Sequence, residues 1–169
     1  MFEIPAVHAA MLVGVVGAIV PMWRAHGTDC RVQIAHGAMA LSMIAMMIPG
    51  VPAGIHLLGG AVLIALAVFV TGETMHRRTA VPCAVDLTAM GVLLLLAPTS
   101  APAASAPSGH HHGGAGISTG WLPLLVLVCW ALLTLHLFRS TPRRERRSGV
   151  RAAAAGSALM ILGMAPMAV

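Results

Sequence analysis

The chain has 169 residues, of which 58% are apolar and 9% charged, with a formal net charge of +5. Soluble domains carry closer to ~25% charged residues and have a smaller apolar share, so the composition excludes an ordinary soluble domain. Nucleic-acid binding is excluded as the source of the positive balance, because the ten basic residues, all arginine, lie at or between the ends of apolar runs and serve topology.

The first run, Ile4 to Trp23, approaches the roughly 20 helical residues that cross a ~30 Å hydrocarbon core. It repeats small residues at Ala10, Gly14 and Ala18, a stripe against which another helix can pack closely. Arg24 and Arg31 flank the connection to the second run, Val32 to Ile48. Pro49, Gly50 and Pro52 then predict a tight turn into the third, Gly54 to Gly72, making these two helices antiparallel neighbours. Arg77 and Arg78 precede the fourth run, Val81 to Ala97, which is interrupted by Asp86.

Residues 98–120 are rich in Ala, Pro, Ser and Gly and carry the triplet His110, His111 and His112, the pattern of a flexible loop. The fifth run, Trp121 to Phe138, is followed by Arg139, Arg143, Arg144, Arg146, Arg147 and Arg151, and the sixth, Ala152 to Ala168, is alanine-rich. The fold class is therefore all-α, a single polytopic transmembrane helix bundle of about six spans. With six spans every arginine falls on one side, which the positive-inside rule makes cytoplasmic in a bacterial cell membrane. Both termini and the 98–120 loop are then outside.

The chemistry-bearing residues concentrate in the second and fourth runs. His36, Met39, Met43 and Met47 recur at intervals of three and four and share one helical face. Asp86 and Met90 lie one turn apart, at depths comparable to His36 and Met39, so facing helices would stack a His36/Asp86 layer on a Met39/Met90 layer. A carboxylate inside a span costs at least ~2.5 kcal/mol near the centre and needs a partner. His36 is one candidate, and an arginine such as Arg31 or Arg78 is the other. Methionine is an adaptable core filler; joined to imidazole, its thioether is also a soft donor suited to Cu(I). His36, Met39, Met43, Asp86 and Met90 are accordingly the candidate metal ligands, with His110, His111 and His112 a second, external set. Met160, Met164 and Met167 add sulfur at the outer end of the sixth run. Two histidine pairs, His8 with His56 and His36 with His136, have spacing compatible with a b-type haem between helices. Cys30, Cys83 and Cys129 form no C-x-x-C motif and are expected to be free thiols.

The stripe His36-x-x-Met39-x-x-x-Met43-x-x-Met46 resembles the second-helix pattern of a domain-of-unknown-function family of small multi-pass actinobacterial membrane proteins. The resemblance extends to size, the arrangement of spans, the Pro-Gly turn and the His-bearing loop. It implies a second His/Met stripe in the fourth helix, where this chain has only Asp86 and Met90. The resemblance brings an architecture and no activity.

No nucleophile with a base, paired carboxylates or phosphate-binding loop is found, so the sequence points away from an enzyme. Three readings follow: copper handling through the His/Met stripe, a non-catalytic accessory subunit of a membrane complex, and a haem-bearing electron carrier. The bilayer is the expected partner, with other membrane proteins under the second reading and no nucleic acid under any.

Overall fold

The computed structural model describes residues 3–24, 30–48, 50–72, 77–96, 121–141 and 149–167. Six α-helices follow the apolar runs: α1 (Glu3–Arg24), α2 (Cys30–Met47), α3 (Ala53–Thr71), α4 (Arg77–Leu96), α5 (Leu122–Ser140) and α6 (Gly149–Met164). A 3-10 turn, Ala165–Met167, ends the described chain. Among the described residues there is no strand, as expected where a backbone in hydrocarbon must satisfy its hydrogen bonds within one segment. Three helices are long and apolar enough to cross a membrane, over Cys30–Met47, Gly54–Thr71 and Leu122–Ser140. The apolar stretches of the other three are shorter, Val7–Trp23, Ala80–Leu96 and Arg151–Met164.

Local sequence explains the helix ends. Gly50 holds φ at 84°, a left-handed value that lets the chain reverse between α2 and α3. At the start of α5, Pro123 falls in the first turn, where the missing N–H would have had no partner. The reversal also brings Arg31, at the start of α2, over the ring of Phe69 near the end of α3, 4.6 Å from its centroid. The guanidinium is thereby attracted to an aromatic face at one end of the helix pair.

Helix α4 is the hub, packing against α2, α3, α5 and α6, while α1 closes the bundle by lying along α6 and α2. The two most extensive contacts, α1 with α6 and α3 with α4, are glycine crossings. A Cβ on Gly163 would stand 2.6 Å from Gly14 Cα, and one on Gly60 only 2.8 Å from the carbonyl oxygen of Gly91. Backbones this close gain dispersion contact and need no polar glue. The small-residue stripe of α1 is thus taken up by α6 of the same chain. Large apolar residues such as Leu12, Leu41, Leu58, Val68, Leu132 and Leu162 point outward, the surface that a lipid environment accommodates.

Candidate functional site

The inner face of α4 is set by its spacing: Ala80, Cys83, Asp86, Leu87, Met90, Leu93 and Leu94 are all buried, the three-and-four pattern of one helical stripe. The matching face of α2 buries Val32, Ala35, His36, Met39 and Met43. The predicted His/Met stripe therefore points into the core, with Met39 and Met90 fully enclosed and Met43 2% exposed. Gly14 makes room for the Met43 thioether, since a Cβ there would lie 3.1 Å from Met43 Sδ. Met160 and Met164 of α6 join the same buried cluster instead of forming an outer sulfur-rich surface.

The partners of the polar residues correct the sequence expectation. Among the described residues Asp86 pairs with neither His36 nor Arg31, and the Arg78 side chain lies outside them. The indole Nε1–H of Trp130 on α5 donates to its Oδ1 at 2.7 Å, and the Ser157 hydroxyl on α6 donates to its Oδ2 at 2.7 Å. One carboxylate thereby ties α4 to α5 and α6, and all three side chains are at least 97% buried. The expected His36/Asp86 layer does not form, because Asp86 turns toward α5 and α6 while α2 meets α4 one turn earlier. There His36 Nδ1 lies 3.9 Å from Cys83 Sγ and 2.8 Å from the carbonyl oxygen of Val32. A carbonyl can only accept, so the ring proton belongs on Nδ1 and the Nε2 lone pair remains. That tautomer, fixed by a backbone carbonyl, is the one metal-ligating histidines usually hold.

Sequence reasoning missed Cys83, Trp130 and Ser157. Each left a signal: Trp130 is the one tryptophan placed in mid-helix, where its N–H needs an acceptor, and Ser157 is the single hydroxyl in α6. Cys83 precedes Asp86 by three residues and so shares its face. As expected it is in no disulfide, and its side chain is buried.

The remaining candidates divide. His110, His111 and His112 lie outside the described residues, as does the 98–120 loop. The two haem pairs are not assembled: α1 does not pack on α3 nor α2 on α5 to any extent, and His8 and His136 face outward. Among the described residues no three His, Cys, Asp or Glu side chains come together as a metal set. The donors gathered in the core are one imidazole, one thiol and several thioethers, a soft combination.

The helices and their buried carboxylate node define an all-α bundle that includes three helices long and apolar enough to cross a membrane. Within that class the chain belongs to the family described as domain of unknown function DUF5134, whose model matches residues 28–169. The match takes in α2 through α6. Neither a curated protein nor a solved structure matches the chain.

Proposed function

We propose that this protein is a six-span protein of the bacterial cell membrane that binds and passes a soft metal ion, Cu(I) foremost, and catalyses no reaction. The observation that carries the reading is the burial of His36 against Cys83 in one core with Met39, Met43 and Met90. Imidazole and thioether together suit Cu(I), whereas hard cations require carboxylate and carbonyl oxygens. The two oxygens of Asp86 are already engaged by Trp130 and Ser157, which makes Asp86 a brace of the site and not a donor.

In this reading the external triplet His110, His111 and His112 collects ions for delivery to the core. Copper analysis of the purified protein after loading with Cu(I) under reducing conditions tests it. The unmodified protein is expected to hold copper stoichiometrically, and the triple variant His36→Ala, Met39→Leu, Met43→Leu to bind at least about tenfold more weakly, the scale on which lost site residues act. Equal and sub-stoichiometric copper in both would end the reading.

The topology carries its own prediction. With all six helices crossing and the arginines inside, single cysteines introduced in residues 98–120 of a cysteine-free protein should react with a membrane-impermeant maleimide on intact cells. Cysteines in residues 142–148 should react only after lysis. The reverse pattern would invert the orientation, and labelling of both from outside would remove a crossing.

A further inference from the structure

Asp86 is the one acidic residue in the interior of a helix; the other four, Glu3, Asp29, Glu73 and Glu145, stand at the first residue of α1 or between helices. Both groups that reach it, the Trp130 indole and the Ser157 hydroxyl, are neutral donors. Removal from water favours the uncharged acid and the two donors favour the anion, so its surroundings hold the group to neither form.

The two donors differ in what they can do when the charge changes. An indole nitrogen only donates, so Oδ1 remains an acceptor in either form. A hydroxyl both donates and accepts, so Ser157 Oγ can receive a hydrogen bond from a protonated Oδ2. Its own hydrogen then needs another acceptor, and the helix supplies one. Ser42, Thr71 and Thr88 each donate to the carbonyl four residues back in their own helix, at 2.9, 3.1 and 2.7 Å. The corresponding acceptor for Ser157 is the carbonyl of Ala153, one turn back in α6. Ser157 departs from that habit by donating across to α4. Rotation of this one hydroxyl therefore leaves every polar atom of the node with a partner in both charge states. No backbone movement is needed, which suits a segment held by α1: a Cβ on the adjacent Gly156 would stand 2.6 Å from the Gly17 carbonyl oxygen.

We infer that Asp86 is a proton-binding site within the helix bundle, with the proton carried on Oδ2 toward Ser157 while Trp130 keeps its bond to Oδ1. Loading takes one proton from water and forms the Oδ2–H bond; the carboxylate charge is cancelled and no electron moves. The charge-assisted tie between α4 and α6 becomes a neutral one, roughly half as strong, so the hold of α4 on α6 follows the proton. Intramembrane carboxyl groups of this kind serve proton relays in pumps and transporters. The inference needs no metal and stands apart from the copper reading.

The other ionisable groups on helices packed against α4 are Cys30, Arg31 and His36 on α2, His56 on α3, Cys129, His136 and Arg139 on α5 and Arg151 on α6, with Arg77, Arg78 and Cys83 on α4 itself. Among the described side chains of this set only His36 and Cys83 are buried, and His36 is the one whose titration must be told apart from that of Asp86.

The test uses the full-length protein in mild detergent with Trp23→Phe and Trp121→Phe, which leaves Trp130 as the sole indole. Its emission should follow a reversible one-proton transition between about pH 4 and about pH 9, the range over which buried carboxyl groups titrate, at unchanged helicity. Infrared difference spectra across the transition should show the carbonyl band of a protonated carboxyl group. Asp86→Asn should abolish both signals, and His36→Gln should abolish neither. Ser157→Ala should shift the frequency of the band, because Oδ2–H loses its acceptor. Absence of the transition from the protein with Trp130 alone, its survival in folded Asp86→Asn or its loss in folded His36→Gln would overturn the inference. If Asp86→Asn does not fold, Ser157→Ala decides, and a band that stays where it was would overturn the inference equally.

Discussion

Replacing Trp130 by phenylalanine should destabilise the bundle by about 1–3 kcal/mol, the cost of leaving a buried acceptor without its donor. The substitution keeps an aromatic ring in the core but removes the Nε1–H that Asp86 Oδ1 accepts at 2.7 Å. Ser157 continues to serve Oδ2, so the carboxyl group is half satisfied, a worse state than a fully satisfied or fully apolar one. Asp86→Asn leaves an amide oxygen that can still accept from the indole and should cost less. The decisive measurement is a double-mutant cycle between Trp130→Phe and Asp86→Leu, followed by unfolding in mixed micelles. Losing both partners should cost less than the sum of the single losses by about 1 kcal/mol or more. Polar contacts in membranes are often weaker than expected, averaging ~0.6 kcal/mol, because the separated helices find other partners. Asp86 is enclosed in the core and receives two short donors, which argues for the upper part of that range. Additive losses would mean that Trp130 contributes packing alone.

What the sequence made legible divides along the range of the interactions. Helix positions depend on local composition, so Cys30–Met47 and Ala53–Thr71 lie within two residues of the apolar runs that predict them. The inward face of α2 was equally legible, since intervals of three and four place His36, Met39 and Met43 on one stripe whatever the tertiary structure. The partner of Asp86 was not. Counting depth along two helices brought His36 and Asp86 to one level, but depth says nothing of azimuth. The azimuth of α4 is decided by the whole stripe from Ala80 to Leu94, which must satisfy α2, α5 and α6 together. Cys83 consequently meets α2 while Asp86 meets the residues 44 and 71 positions further along the chain. Contacts of such separation have no periodic signature in one sequence. The residual signal was chemical: a mid-helix indole and a lone hydroxyl, each needing an acceptor, and a single intramembrane carboxylate able to supply both.

The glycine crossings support an equally specific expectation, because they predict opposite signs for one kind of substitution. A Cβ at position 163 would lie 2.6 Å from Gly14 Cα, 2.7 Å from Gly14 N and 2.8 Å from the carbonyl oxygen of Ala10, all backbone atoms that cannot rotate away. Gly163→Ala must therefore push α6 from α1. Because Gly14 also accommodates the Met43 thioether, the displacement reaches the core site as well. Overpacking of this kind costs about 1–3 kcal/mol, and Gly60→Ala, opposed by the Gly91 carbonyl oxygen at 2.8 Å and the Leu95 side chain at 2.9 Å, should fall in the same range. Gly37 in α2 is the control, since nothing stands within 4 Å of its added Cβ. There alanine restricts the unfolded backbone and favours the helix, so Gly37→Ala should be neutral or stabilising by up to about 1 kcal/mol. Thermal unfolding of the three variants in one detergent tests the ordering directly. Equal midpoints for Gly163→Ala, Gly60→Ala and Gly37→Ala would mean that the close backbone approaches do not hold the bundle together, and the packing of α1 on α6 would have to be redrawn.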